Sequence, residues 1–339
     1  MSTVYISSHN GSLKRAGDVL LYSDYTGQST KLIPSITDSI IAIGQMNISG
    51  AALNLCIDQR IPIFFLRPNG NFNGKLAFED GKNTLLRHQQ HLIAEDKERV
   101  SLIAKSIVEG KTLNEYLFMQ RILRKNPRNT NVKDCVLKVQ ERRKKLQAIT
   151  NDIDVIRGFE GIISRLYFQC LKSNITCAWT HFHKRTKNPP RDEINATLSF
   201  LYTLLASKVD TCIEHEGLDS SVGSLHDFSY GRKSLVYDLM EEFRTPIVDT
   251  TTCAMFNQGT LTENDFRRET SPKNGQFVLL NGDGVKKAIS AFERKLEQSH
   301  EYLNTGKAMS YHEIIRHQVR QYKTILQDDS VLYQPQIVT

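Results

Sequence analysis

The chain has 339 residues, enough for about two domains at ~100–200 residues each. Apolar residues make up 40% and charged residues 24%, which excludes wholesale disorder, and no run of ~18 apolar residues is present to cross a membrane. Lys and Arg total 44 against 37 acids, a net charge of +7 that suits an anionic partner without naming one.

The first eighty residues read as strands. Residues 4–7, 18–23, 39–44 and 61–66 are short β-branched or aromatic runs, separated by Asn10-Gly11, Ala16-Gly17, Pro34 and the NGNFNG stretch at 69–74. One helix interrupts them, because ISGAALNLCIDQR places Ile48, Ala52, Leu55 and Cys56 on one face. After Phe78 the spacing becomes helical, with Leu86, Ile93, Val100, Ile103 and Ile107 in register, and helical patterns continue to about Asp328. Asn126-Pro127, Asn188-Pro189-Pro190, Pro246 and the NGDG turn at 281–284 punctuate them. The expected class is α+β, with a small β-rich domain over 1–80 and a larger all-helical domain over 81–339, joined at the polar EDGKN segment.

Charge is concentrated. Residues 111–150 hold eleven Lys/Arg against three acids, a local net of +8 that leaves the rest of the chain at −1. Arg121, Arg124, Arg142, Arg143, Lys144 and Lys145 lie there, and Lys184 and Arg185 belong to a second cluster, HFHKRTKNPPR. A run such as RRKK also suits a solvated helix face, but two clusters on a nearly neutral frame favour a surface for phosphate backbones. The six cysteines form no C-x-x-C pair and no disulfide framework, and the start MSTVYISSHNGSLK has no apolar core of a secretory signal. Free thiols in a reducing cytoplasm are expected.

Several catalytic signatures are missing. GNFNGKL at 70–76 is one residue short of a P-loop and has Leu76 where the hydroxyl should stand; neither G-x-S-x-G nor H-E-x-x-H occurs. Cys177, His181 and His183 lack the second cysteine pair of a structural zinc site. The informative stretch is GLDSSVGSLHDFSYGRKSLVYDLMEEFR at 217–244, a polar loop ending at His226, then Gly231-Arg232 opening a helix. On that helix Asp238 shares a face with both Glu241 and Glu242, so spacing does not choose between the glutamates. Carboxylates near a histidine suit a hard divalent cation; pairing with Arg232 or Arg244 is the structural alternative.

This stretch closely resembles the signature of the CRISPR-associated adaptation integrase, the first-numbered Cas endonuclease: a Gly-Leu-Asp loop, a Leu-His pair, Gly-Arg, and an Asp-Leu-x-Glu helix ending in arginine. RGFEGIISRLYF at 157–168 resembles the family's other motif, and NPPRDEINATLSFLYTLLAS at 188–207 the helix between them. The resemblance implies metal ligands at Glu160, His226 and Glu241, choosing Glu241 over Glu242, with Asp238, Asn195 and Tyr167 as supporting residues. Ser164, Tyr230 and Thr245 depart from the family's usual residues.

The implied activity is metal-dependent joining of the 3′-OH ends of short DNA fragments to a CRISPR array, with Mg2+ or Mn2+ as the cofactor. Implied partners are DNA, held by the basic residues above and Arg232, a second copy of the chain paired through the β domain, and a heterohexamer with a dimer of the small second-numbered Cas protein. A casposase-like transposon integrase is the alternative, though the chain ends soon after YQPQIVT with little room for a helix-turn-helix; a catalytically inactive DNA-binding scaffold is another.

Overall fold

The computed structural model describes all residues except 1, 8, 9, 79–82, 150, 151, 228, 273, 274, 304 and 339. It divides into two compact units, Met1–Thr84 and Leu85–Thr339. Most of the polar joint EDGKN lies outside the described residues.

The first unit contains β1 (Ser2–Ile6), β2 (Gly11–Ala16), β3 (Val19–Ser23), β4 (Ser29–Leu32), β5 (Thr37–Ile43), β6 (Met46–Ile48), α1 (Gly50–Asp58), β7 (Ile63–Leu66) and β8 (Phe72–Leu76). They form two four-stranded sheets, ordered β1-β5-β7-β8 and β4-β3-β2-β6. Ile6, Ile40 and Ile63 of one sheet, Leu13 and Leu20 of the other, and Ala52, Leu55 and Cys56 of α1 share one apolar core. Four of these strands coincide with the apolar runs in the sequence. Three of the other four, β4, β6 and β8, are sheet edges. An edge strand buries little and need not alternate, so STKL, MNI and FNGKL carry no strand signal.

The second unit contains α2 (Thr84–Glu95), α3 (Lys97–Lys125), α4 (Thr130–Gln147), α5 (Ile153–Asn174), α6 (Glu193–Glu216), α7 (Ser234–Phe243), α8 (Thr250–Asn257), β9 (Phe266–Ser271), β10 (Gly275–Leu280), α9 (Gly282–Leu296), β11 (Ser299–Tyr302), β12 (Lys307–Ser310) and α10 (Tyr311–Gln327). Helix α6 is its spine. Leu198, Leu201, Leu205 and Val209 are buried, and so are Asn195, Thr197 and Asp210 on its other faces. It ends at Gly217 in the left-handed conformation, φ 74°.

Three features differ from what the sequence suggests. The unit is helical but not all-helical, since β9–β10 and β11–β12 form antiparallel hairpins. The FVLL run of β10 is short and apolar, which periodicity cannot separate from a buried helical turn. The NGDG stretch is a helix start, with Asn281 accepting from the Asp283 and Gly284 amides at 3.1 and 2.9 Å.

Pro246 also fails to stop its helix. It lies in a π-helical turn, Arg244–Asp249, that runs from α7 into α8. Proline has no N–H to give the Glu242 carbonyl four residues back. That carbonyl accepts instead from Asn114 Nδ2 of α3 at 2.9 Å. No helix among the described residues is long and apolar enough to cross a membrane.

Candidate metal centre

Helix α7 organises the site through Asp238, which is fully buried. Its Oδ2 accepts from the Ser224 and Leu225 amides at 2.6 and 2.8 Å, and its Oδ1 from the His226 amide at 3.1 Å. The loop can lie this close because residue 223 is glycine. A Cβ there would stand 2.5 Å from Asp238 Oδ2 and 2.8 Å from the Ser234 carbonyl carbon. Arg157 of α5 ties the far side of the loop, donating to the Leu225 carbonyl at 2.7 Å and to Asp227 at 2.5 Å.

His226 Nδ1 lies 2.6 Å from Asp238 Oδ1. A carboxylate there holds the proton on Nδ1 and leaves Nε2 as the nitrogen with a lone pair. Asp238 therefore orients the ring. Asp238→Asn puts an amide NH2 where backbone N–H groups donate, and is expected to lower Mn2+ affinity roughly 10–100-fold. Titration calorimetry with Mn2+ measures this; unchanged affinity removes Asp238 from the support of the site.

The two carboxylates meet on a lysine. Lys111 of α3 is only 7% exposed. Its ammonium pairs with Glu160 Oε1 of α5 and, at 2.7 Å, with Glu241 Oε2 of α7. Arg244 Nε lies 3.1 Å from the same Glu241 oxygen. Burial alone would raise the Glu241 pKa, but Arg244, Lys111 and His226 outweigh it and hold the carboxyl down to about 2. Despite these contacts, Glu241 Oε2 is buried without a well-aligned hydrogen bond.

Glu115 of α3 lies alongside, pushed up to about 8 by burial, against the pull of Lys111, and by the neighbouring Glu160 charge. Ser164 is within hydrogen-bond reach of both Glu115, at 3.0 Å, and Glu160, at 3.3 Å. Its one hydroxyl proton serves one at a time. Neither Lys111 nor Glu115 was singled out from the sequence, because both sit in a segment whose charge suggested a DNA-facing surface.

The supporting residues occupy a second layer. Tyr167 and Tyr202 donate to the two oxygens of buried Asp249 at 2.7 and 2.5 Å. The Arg244 guanidinium stacks 4.8 Å from the centre of the Tyr202 ring. Asn195 is a brace: its side chain donates to the Lys184 carbonyl at 2.9 Å and accepts from Arg185 and the Thr186 amide.

Glu242 requires a correction. The sequence left it open to pairing with Arg232 or Arg244, yet it is 2% exposed and its hydrogen-bond partners are neutral. It accepts from Tyr333 Oη at 2.6 Å, from Gln318 Nε2 at 3.1 Å and from the Gln336 amide. Burial, only partly offset by these donors, pushes it up to about 7. Its role is to hold the C-terminal segment, which Asn114 also grips through the Gln336 carbonyl and Val338 amide, each at 2.9 Å.

Among the described residues, no three His, Cys, Asp or Glu side chains converge into a ready cage, Cys177, His181 and His183 included. The donor chemistry nevertheless fits a divalent cation. Two carboxylates from separate helices already meet on one buried positive charge, one of their oxygens lacks an aligned donor, and the Asp238-oriented imidazole acts electrostatically on Glu241.

The basic residues separate by position. Arg124, Lys144 and Lys184 are exposed, and Lys145 is exposed but paired with Glu141 at 2.6 Å. Arg121, Arg142 and Arg232 are half-buried. Arg143 lies over the Tyr116 ring, 5.6 Å from its centre, Arg185 over Tyr202 at 5.3 Å, and Arg121 over Phe118 at 5.8 Å.

The family model for CRISPR associated protein Cas1 matches residues 4–294. The chain belongs to the Cas1 family. A CRISPR-associated endonuclease Cas1 of Rhodospirillum rubrum is 32% identical over 89% of this chain and 89% of its own. A CAS1 protein from Thermotoga maritima has the same fold, with a TM-score of 0.83 at 24% identity over 99% of this chain and 100% of that one. A Cas6-RT-Cas1–Cas2 complex chain matches with a TM-score of 0.86 at 20% identity, over 99% of this Cas1-family chain and 36% of its own length.

Proposed function

We propose that this Cas1-family protein is a metal-dependent DNA endonuclease and integrase of CRISPR adaptation, joining 3′-OH ends of short fragments to a CRISPR repeat. The observation that carries the reading is the meeting of Glu160 and Glu241 on one buried cation beside an Asp238-oriented histidine. Glu160, Glu241 and His226 Nε2 would hold Mg2+ or Mn2+. When bound, the ion supplies Lewis acidity toward the phosphate oxygens.

The chain's own residues account for the rest. In the transfer, a 3′-hydroxyl gives up its proton as its oxygen bonds to phosphorus, the P–O bond of the target strand breaks, and the leaving oxygen takes up a proton. Arg244 and Lys111 keep positive charge beside Glu241, where negative charge builds on the phosphate. Asp238 and Arg157 keep the histidine loop in place through the reaction. Exposed Arg124, Lys144 and Lys184 suit the DNA backbone without reading sequence. Pairing through the β-rich unit, and assembly of two such dimers on a dimer of the second-numbered Cas protein, belong to the same proposal; membership of the Cas1 family and the fold shared with a chain of a Cas6-RT-Cas1–Cas2 complex support them.

The test is Glu160→Ala. Strand transfer from DNA with free 3′ ends into a plasmid is expected to vanish while duplex affinity stays within a few-fold. Affinity falling in step with activity would place Glu160 in the fold or the DNA surface instead.

A further inference from the structure

Away from the metal centre, three polar side chains from three elements lie in contact, and the charge of a fourth, Arg121, acts on all of them. Arg121 lies near the end of α3, Lys295 in the last turn of α9, His300 on β11, and Tyr311 at the start of α10. Tyr311 is fully buried, and its ring stacks against His300 with centres 4.4 Å apart. The Lys295 ammonium lies 5.4 Å from the centre of the same ring. Tyr311 Oη and His300 Nε2 are both buried, and neither has a hydrogen-bond partner among the described residues.

A buried hydroxyl and a buried ring nitrogen without partners cost free energy unless something meets them. The charges tell the same story. Among the described residues neither Arg121 nor Lys295 is ion-paired with a carboxylate, and Lys295 donates to neutral Gln298 Oε1 at 2.9 Å. Burial and the nearby Arg121 charge hold the Lys295 ammonium down to about 8, and burial together with both cations lowers His300. Like charges beside an unpartnered hydroxyl, and beside a ring nitrogen that donates when it carries the proton, form a cradle for an oxyanion.

We propose that Arg121, Lys295, His300 and Tyr311 form a phosphate-binding site, occupied by a backbone phosphate of DNA. A polyanion is favoured over a lone ion because positive charge continues outward from the cradle. Arg124, Lys125 and Arg128 are exposed immediately after Arg121, and an open groove of about 710 Å³ between α3 and α4 is lined by Gln120, Arg121 and Arg124. The choice of DNA as the source rests on the reading of the chain as a DNA-joining enzyme; the cradle itself does not.

The experiment uses the full chain in EDTA, so that binding is read without catalysis. Acetylation of Lys295 by an N-hydroxysuccinimide ester is followed by peptide mass spectrometry, alone, with a short duplex, and with inorganic phosphate. Duplex is expected to protect Lys295. Arg121→Gln and Lys295→Gln should each weaken duplex binding several-fold and flatten its log–log salt dependence by about 0.9. Tyr311→Phe removes only an unpartnered hydroxyl, so it should weaken binding without lowering the melting temperature. A merely structural hydroxyl would do the opposite.

Unchanged salt slopes in both charge variants, with Lys295 equally reactive in all three conditions, overturn the site. Protection by inorganic phosphate and not by duplex overturns DNA as its occupant. Glu160→Ala separates the two readings: it should keep the wild-type salt slope while failing to join DNA. A wild-type chain that joins nothing yet shows protection and altered slopes would sink the enzyme reading alone.

Discussion

Glu241→Gln is expected to abolish the proposed strand joining and most Mn2+ affinity, whereas Glu242→Ala should keep Mn2+ affinity and lower folding stability by about 3 kcal/mol at pH 5. Adjacent residues of one helix thus separate by their partners. Glu241 faces Lys111, Arg244 and the histidine; Glu242 faces Tyr333, Gln318 and the Gln336 amide. Removing Glu242 takes the acceptor from Tyr333 Oη and the Gln336 amide, leaves Gln318 Nε2 with the Gln334 carbonyl at 3.0 Å, and loosens the C-terminal segment.

The pH dependence supplies a second signature. Glu242 has a folded pKa of about 7, above its unfolded value, so the native state binds the extra proton. Stability from this group falls as pH rises between about 4.5 and 7, by up to about 3 kcal/mol. Glu241, depressed to about 2, contributes stability above the unfolded pKa that disappears as pH falls toward 2. The cost of Glu242→Ala should therefore be largest near pH 5 and smaller by pH 8, where the lost carboxylate was ionised against its burial. Urea unfolding at the two pH values and Mn2+ calorimetry on both variants measure this. A Glu242→Ala protein that no longer binds Mn2+, beside a Glu241→Gln protein that does, would reverse the assignment.

The residues behind this contrast also show what was legible in the sequence. Helical spacing placed Asp238, Glu241 and Glu242 on one side of α7, and the ordered motifs singled out Glu160, His226 and Glu241. Burial of Glu242 was not legible, because Gln318, Tyr333 and Gln336, which cover it, arrive from far along the chain and share no spacing with it. Lys111 was hidden for a different reason. In a segment of net +8 a lysine reads as one more solvated charge, and only the crossing of α3 with α5 and α7 makes it a buried counter-ion.

The partner of His226 was legible as a type and not as a contact. A neutral ligand histidine needs a second hydrogen bond, and Asp238 became that partner only when Gly223 let the loop fold onto α7. The β-rich unit shows the same division. Buried central strands such as β5 announce themselves by β-branched runs, while its edges and the two hairpins of the helical unit depend on pairing that local sequence does not encode.

Lys111→Met is expected to make folding stability depend on a divalent cation. Without metal, the substitution leaves Glu160, Glu241 and Glu115 facing one another around an apolar side chain. Removing one partner of a buried ion pair costs about 3–5 kcal/mol, because the other charge stays buried and uncompensated. For a unit of this size each kcal/mol lowers the melting temperature by about 2–4 °C. In EDTA the variant should therefore melt roughly 6–20 °C below wild type.

Mn2+ should restore most of that loss, since a divalent ion between Glu160 and Glu241 supplies the charge the ammonium supplied. At a hundred times its dissociation constant, a ligand bound by the native state alone contributes about 2.7 kcal/mol. Wild type should gain less, because there the ion competes with Lys111 for the same oxygens. Thermal unfolding of both proteins across an Mn2+ titration measures the difference. In a Glu160→Ala background the Lys111→Met penalty should shrink, since one of the stranded carboxylates is already gone. A variant that melts low and gains no more from Mn2+ than wild type would show that Lys111 and the metal do not share a site, and the ligand pair Glu160 and Glu241 would lose its main support.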